Sequence, residues 1–315
     1  MVLFSGGLDS RLVVKIMQEK GFEVIAVFFK LPFAKDNEKE IKDFLKEELG
    51  TQGRTPNNIQ KNMVTKGKLK VFDCTKGNLL KEYLKIIKKP KYGRGVGINP
   101  CVDCKIFMFS KTKEFASKNK IEFIATGEVI GQRPMSQTRK ATQIIEKEAG
   151  LKNRIRRPLV EFYGIQGRKR DKQIALAKKF NISYPTPAGG CALCEKKLKK
   201  RFEFLLDRGI NDKEIKFVNV GRHFVIDKCW VVLGKDEKEN KILENFGEKI
   251  LVPDFIGPSA LIFDKCKKDV ITPKSVPREI SSEVSTEGKK INKLIEAYSK
   301  KGSLKERRKF EKFKL

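Results

Sequence analysis

Two sets of residues in this chain have the types and spacing to do chemistry. The first is Ser5-Gly6-Gly7-Leu8-Asp9-Ser10, between the apolar Val2-Leu3-Phe4 and a helical stretch. Without a Cβ, Gly6 and Gly7 let the backbone approach a bulky anion, and the following helix points its free N–H groups at it. Ser5 and Ser10 add hydroxyl donors, and Asp9 can hold Mg²⁺. The spacing predicts a phosphate cradle; the plain alternative is a serine-capped glycine turn. It is not a Walker loop, since no Gly-Lys-Ser/Thr follows, nor a dinucleotide GxGxxG. The second set is sulfur. Cys101 and Cys104 stand three positions apart at a helix start, so both thiols can face one ligand. Cys191 ends a glycine turn, PTPAGGC (185–191), and Cys194 makes a second CxxC with it. Two CxxC pairs are also the pattern of a structural zinc site. Their long separation argues against a compact zinc ribbon, but not against a site assembled in three dimensions.

Alternating apolar runs and amphipathic stretches must position these groups. Strands are predicted at residues 2–4, 23–29, 70–72 and 122–125, and helices at 11–19, 37–49, 79–87, 105–117 and 167–180. Strands alternating with helices imply an α/β fold, a parallel sheet with helices on both faces. Ligands of such sheets bind beyond the carboxyl ends of the strands, so residues 5–10, 99–104 and 126–137 are expected to converge. From about residue 213 the pattern becomes α+β. Strands are predicted in IKFVNV (215–220), HFVID (223–227), CWVVLG (229–234) and 249–252, and helices at 238–246 and 287–300. The division expected is residues 1–200 and a smaller α+β domain, 201–315.

Composition narrows the function classes. The chain has 315 residues, and Lys plus Arg outnumber Asp plus Glu 69 to 39, a net charge of +30. The excess runs through the whole sequence, which points to a polyanionic partner, nucleic acid first. Only His223 is a histidine, so mechanisms needing a His pair and multi-imidazole zinc sites are excluded. No leader-like segment precedes Ser5 and no apolar run reaches the ~20 residues of a membrane span, so a cytoplasmic protein is expected. In a reducing compartment the seven cysteines are expected to be ligands or reactive thiols rather than disulfides. Cys74, Cys229 and Cys266 lie in or beside apolar strands and are expected in cores.

SGGLDS after an N-terminal strand resembles the PP-loop of the ATP pyrophosphatases, with their HUP-like sheet, which cleave ATP between the α and β phosphates. Asn99-Pro100-Cys101-x-x-Cys104 resembles a segment of tRNA 2-thiouridylases, and Ala125-Thr126-Gly127 looks like their strand end near the adenylate. The longer TGEVIGQRPMSQ (126–137), Arg157-Pro158-Leu159 and PTPAGGC (185–191) resemble 4-thiouridine synthase-like proteins that carry a third cysteine. The resemblance covers roughly residues 1–200.

That resemblance implies an ATP-dependent tRNA sulfurtransferase. Ser5, Gly6, Gly7, Asp9 and Ser10 would hold pyrophosphate and Mg²⁺, with Thr126 and Gly127 near AMP. In iron–sulfur dependent thiolation enzymes three cysteines hold a [4Fe–4S] cluster with one iron open. Cys101, Cys104 and Cys191 match those positions. Cys194 departs from the pattern, and Zn²⁺, or no metal with a cysteine persulfide as carrier, are the alternatives. Partners implied are tRNA and a sulfur donor, sulfide or a persulfide carrier, with a homodimer open. An amine-adding, lysidine synthase-like enzyme and a non-catalytic RNA-binding adaptor are the competing readings.

Residues 220–224, Trp230 to Gly234 and the Gly234-Lys235-Asp236-x-x-x-Asn240 run resemble the NFACT-R RNA-binding domain, and Tyr298-Ser299-Lys300 looks like its last helix. His223 beside Arg222 is a candidate RNA contact, although a lone His at a strand edge is more often structural. The basic runs 88–94 and 154–157 are candidates to guide a phosphate backbone. Because the chain starts at the cradle strand, the N-terminal RNA-binding region of longer 4-thiouridine synthases is expected to be replaced by residues 201–315.

Overall fold

The computed structural model describes residues 1–50, 69–186, 190–246, 249–263 and 286–315. The chain forms two compact units, Met1–Lys199 and Lys200–Leu315. Cys266 and residues 187–189 of the glycine turn lie outside the described residues.

The first unit is a parallel sheet with helices. Its strands are β1 (Val2–Leu3), β2 (Ala26–Lys30), β3 (Leu69–Asp73), β4 (Ile124–Thr126) and β5 (Ile155–Arg156), in the order β3-β2-β1-β4-β5. The helices are α1 (Leu8–Glu19), α2 (Glu38–Gly50), α3 (Gly77–Lys88), α4 (Cys101–Lys118), α5 (Arg139–Glu148), α6 (Pro158–Tyr163) and α7 (Asp171–Lys179). Alternation along β2 sorts the faces. Ala26 and Phe28 join the core around Leu12, Val13 and Ile16 of α1, whereas Phe29 stacks on Phe72, which meets Phe115 of α4 edge-on. Neither side of β2 meets water, which is why EVIAVFF reads as one apolar run. Helix α4 starts at Cys101 with Pro100 as its N-cap, so both cysteines lie in its first turn.

The second unit begins with α8 (Lys199–Arg208) and holds an antiparallel sheet ordered β6-β7-β9-β8, from β6 (Arg222–Ile226), β7 (Cys229–Leu233), β8 (Ile250–Leu251) and β9 (Ala260–Phe263). Helices α9 (Glu237–Glu244), α10 (Thr286–Tyr298) and α11 (Leu304–Phe310) complete its regular elements among the described residues. The predicted strand IKFVNV is instead a 3-10 turn, Ile215–Phe217. Phe217 meets Phe246 and Phe263 at 4.5 and 5.6 Å, so its apolar residues fill the space beside the sheet rather than extend it. Cys229 is in this core as expected, but it is disulfide-bonded.

His223 is fully buried and is no RNA contact. Trp230 Nε1 donates to its Nδ1 at 3.1 Å, which makes Nε2 the protonated nitrogen, 2.8 Å from Val220 O. Burial, and then the charge of Arg201, push its pKa down to about 3. Below pH 6.5 the unfolded chain takes up a proton that the folded one refuses, so this stability is complete above pH 6.5 and is lost as pH falls toward 3. Between about pH 6.5 and 4.5 the loss should be about 2 kcal/mol. Denaturant melts of wild type and His223→Gln at both values check this: the variant should lose less on acidification, and equal losses would refute it.

The GKDxxxN run also serves the fold. Asp236 caps α9 by accepting from Glu239 N at 2.9 Å, and Asn240 Oδ1 accepts from Ser259 N at 3.1 Å. A Cβ at position 234 would strike Asn240, which accounts for the glycine.

Candidate active site

Strand β1 sits centrally between β2 and β4, and the strand order reverses there. In an open parallel sheet this is where a crevice opens beyond the carboxyl ends. The segments after β1 and β4 are residues 5–7 and 127–138. Gly6 has φ +80°, and a Cβ there would come within 2.8 Å of Ile41 Cγ1 and 2.9 Å of Asn37 Nδ2, so only glycine suits the turn. Gly7 is the extended N-cap of α1, and no side chain caps that helix, leaving its first N–H groups for an anion. Ser10 Oγ donates to Gly7 O at 2.9 Å and lies 3.4 Å from Ser5 Oγ.

Two residues that the motif did not flag hold this turn. Arg11 Nε donates to Gly6 O and its Nη1 to Ser183 O, both at 2.8 Å, and Asn37 Nδ2 donates to Ser5 O at 3.0 Å. Arg11 to Ser183 and Asn37 to Ser5 join positions far apart in sequence, so no local pattern could have found them.

Gly127 brings the end of β4 against the cradle. A Cβ there would lie 2.7 Å from Asp9 C, 2.8 Å from Ser10 N and 2.9 Å from Asp9 O. Thr126 is buried, and its Oγ1 accepts from Glu128 N at 3.3 Å. Gln132 Nε2 donates to Asp9 Oδ2 at 3.2 Å, whereas Asp9 Oδ1 is buried without a partner. Burial raises the Asp9 pKa, opposed by Gln132 and by the nearby Arg170, Gln173 and Arg133. Gln173, fully buried on α7, lies beside Asp9 and favours its ionised form.

The thiols gather from three chain segments. Ile98 N donates to Leu193 O at 2.9 Å, Ala192 N to Phe33 O at 2.8 Å, and Ala34 bridges Cys191. Gly97 lies so close to Leu193 O that a Cβ would not fit. Asn99 Nδ2 is 3.1 Å from Cys101 Sγ and 3.2 Å from Met135 Sδ, and Tyr83 Oη is 3.5 Å from Cys104 Sγ. Burial, and then neighbouring thiols, push Cys104 up to about 11 and Cys191 up to about 12, with Tyr83 counteracting at Cys104. Cys194 is exposed, and burial of its sulfur followed by Cys101 raises it as well. Cys74 is buried within electrostatic reach of Cys104. Cys101, Cys104, Cys191 and Cys194 thus act on one another. Among the described residues, no three His, Cys, Asp or Glu side chains stand in metal-holding geometry.

An ion-pair network joins the two halves of the site. Lys105, one helical turn beyond Cys101, pairs with Glu128, which follows Gly127, and reaches Ser136 O at 3.3 Å. Arg157 Nη2 lies 3.3 Å from Glu128 Oε2 and 2.7 Å from Glu146 Oε1. Arg157 is therefore a brace rather than an RNA guide. Arg154 likewise donates to the carbonyls of Ile121 and Glu122, Arg156 pairs with Glu161, and Arg94 donates to those of Ile87 and Lys88. The segments expected to converge, 5–10, 99–104 and 126–137, do meet: Gly127 lies against Asp9 and Ser10, and Asn99 Nδ2 is 3.2 Å from Met135 Sδ.

The chain compares with known proteins in the same region. A family model described as thiamine biosynthesis protein (ThiI) matches residues 1–203. A stretch of 133 residues is 30% identical to the tRNA-specific 2-thiouridylase MnmA of a Nitratiruptor species, covering 40% of this chain. The match spans 33% of that relative's length. No helix among the described residues is long and apolar enough to cross a membrane. With a match over well more than half its length, on the unit that carries cradle and thiols, the chain belongs to the ThiI family.

Proposed function

We propose that this protein is an ATP-dependent tRNA sulfurtransferase, which adenylates a uridine carbonyl oxygen and replaces that oxygen with sulfur. The observation that carries the reading is the segment 127–136. It packs Gly127 on the cradle, pairs Glu128 with Lys105 of the cysteine helix, and brings Met135 to the Asn99 that touches Cys101. One short stretch thus ties an anion site to a set of thiols.

The roles follow from chemistry. The free N–H groups at the start of α1, with Ser5, Gly6, Gly7 and Ser10, would hold the phosphates, and Asp9 would be a ligand for their Mg²⁺. Thr126 and Gly127 border the AMP moiety. The uridine oxygen attacks the α-phosphorus and pyrophosphate leaves; a sulfur nucleophile then adds to the ring carbon, and AMP departs with the oxygen. The protein contributes position and charge stabilisation, and no histidine is required.

Cys101, Cys104 and Cys191 suit soft-metal chemistry in donor type, and drawn together they would hold a [4Fe–4S] cluster. Such a cluster would supply an iron for sulfide. Ionising these thiols is unfavourable without a cation beside them, as the raised pKa values of Cys104 and Cys191 state. The exposed Cys194 beside Cys101 favours a second sulfur route without metal: Cys194 takes the outer sulfur of a donor persulfide, that sulfur attacks the adenylated carbon, and Cys101 closes a disulfide with Cys194 as the S–S bond breaks and AMP leaves. Lys200–Leu315 is read as the unit that grips tRNA, in keeping with the basic composition.

Purified protein incubated anaerobically with Mg·ATP and tRNA, in parallel with sulfide and with a persulfide donor, tests the reading. Pyrophosphate release that depends on tRNA, together with a thionucleoside in digested tRNA by mass spectrometry, is expected. Pyrophosphate without a thionucleoside would replace sulfur by another nucleophile, and neither product would leave the RNA-binding adaptor.

A further inference from the structure

Helix α3 buries Leu80, Tyr83 and Ile87, a stripe at helical spacing. Leucine and isoleucine are ordinary residues for such a stripe, and phenylalanine would fill the middle place as well as tyrosine does. Tyr83 has 0% exposure. A hydroxyl buried there loses its water, and only a hydrogen bond offsets that cost. Among the described residues the hydroxyl has one hydrogen-bond partner, Cys104 Sγ at 3.5 Å.

Two aromatic contacts fix where this hydroxyl points. The Tyr83 ring centroid lies 6.5 Å from that of Phe33 and 5.7 Å from that of Phe107, with both rings tilted to it. Phe107 is on α4, one helical turn beyond Cys104, and it is buried, as is Phe33. Phe33 O accepts from Ala192 N at 2.8 Å, and the next residue, Ala34, bridges Cys191. Tyr83 therefore packs between the helix that carries Cys104 and the loop that pins the Cys191 turn. The phenol is the donor of the pair: a thiol is a weak donor, and a sulfur that is ionised or metal-bound has no hydrogen to give. Groups that hydrogen-bond a ligand atom from behind orient it, and losing one costs about 10–100-fold in metal affinity or activity.

We infer that Tyr83 is a positioning residue for the sulfur chemistry: its O–H, carried on the buried face of α3, fixes the direction in which the Cys104 sulfur is presented to a soft ligand. Neither the SGGLDS turn nor the cysteine segments include it. The role holds for a metal-bound sulfur and for one that works without metal. Its place in the reaction rests on the sulfur-transfer reading above.

Titration of the full chain with Cd²⁺ alone, followed by the thiolate-to-Cd²⁺ charge-transfer band, tests this in wild type, Tyr83→Phe and Cys104→Ser. The phenylalanine keeps the ring and removes only the O–H, so its unfolding midpoint without metal should stay level with wild type. Its Cd²⁺ affinity should fall about tenfold or more, and its thionucleoside formation about tenfold. Cys104→Ser should lose at least as much Cd²⁺ affinity. A tyrosine that only packs would leave both readouts of the phenylalanine variant at wild-type level. Unchanged Cd²⁺ affinity or unchanged thionucleoside formation in Tyr83→Phe would overturn the role of Tyr83 and leave the sulfur-transfer reading standing. Undiminished Cd²⁺ affinity in Cys104→Ser, or no Cd²⁺ band in wild type, would do the same. A tenfold loss of Cd²⁺ affinity in Tyr83→Phe, with no thionucleoside from wild type, would overturn that reading and keep Tyr83 as the residue that orients the sulfur.

Discussion

Replacing Gly127 by alanine should lower ATP-dependent pyrophosphate release by about a hundredfold, the loss typical of a shift near ~1 Å in a catalytic constellation. The added Cβ would meet the carbonyl carbon and oxygen of Asp9 and the amide nitrogen of Ser10 at 2.7 to 2.9 Å. These are backbone atoms of the first turn of α1, so no side chain can swing aside. Either β4 retreats or the cradle moves, and Asp9 moves with it. Overpacking of this kind costs roughly 1–3 kcal/mol of stability, which leaves a protein of this size folded. A pyrophosphate assay beside a thermal melt separates the two effects. Near-wild-type release would mean that the close approach of β4 to the cradle does not matter for the reaction.

Cys104→Ser should separate the two halves of the chemistry. Thionucleoside formation is expected to fall on the order of a thousandfold or more, as when a group needed in the bond-forming step is removed. Pyrophosphate release should stay within a few-fold of wild type. Serine is nearly isosteric, and its hydroxyl can take the place of the thiol that Tyr83 Oη meets at 3.5 Å, so the fold should tolerate the change. The cradle touches none of this directly; it is joined to α4 through Glu128 and Lys105. Equal loss of both activities would place Cys104 in the shared framework, and loss of neither would remove the thiols from the mechanism.

Much of the first unit was legible from residues alone because its signals are local. A glycine pair before a helix, an apolar run buried on both sides and a CxxC at a helix start each complete their meaning within a short stretch of chain. The boundaries moved where packing outweighed pattern. The strand expected over 23–29 runs over Ala26–Lys30, where its register with β1 and β3 lies. Helices α5, α6, α8 and α11 and strands β5 and β9 were not anticipated, and IKFVNV read as a strand because its alternation suits a half-buried strand as well as a turn folded over Phe263.

The sequence by itself determined the chemistry available: a phosphate cradle at Ser5–Ser10, a thiol set without imidazoles, and a strongly positive chain. Tertiary structure decided which residues make that chemistry usable. It placed Arg11 and Asn37 on the carbonyls of the cradle, Gln132 and Gln173 beside Asp9, and Lys105, Glu128 and Arg157 in one network, while it buried His223 out of reach of RNA. The division has a physical cause. A turn's conformation and a ligand's donor set depend on neighbours in the chain, whereas burial, pairing and the loss of water depend on segments brought together across the sheet.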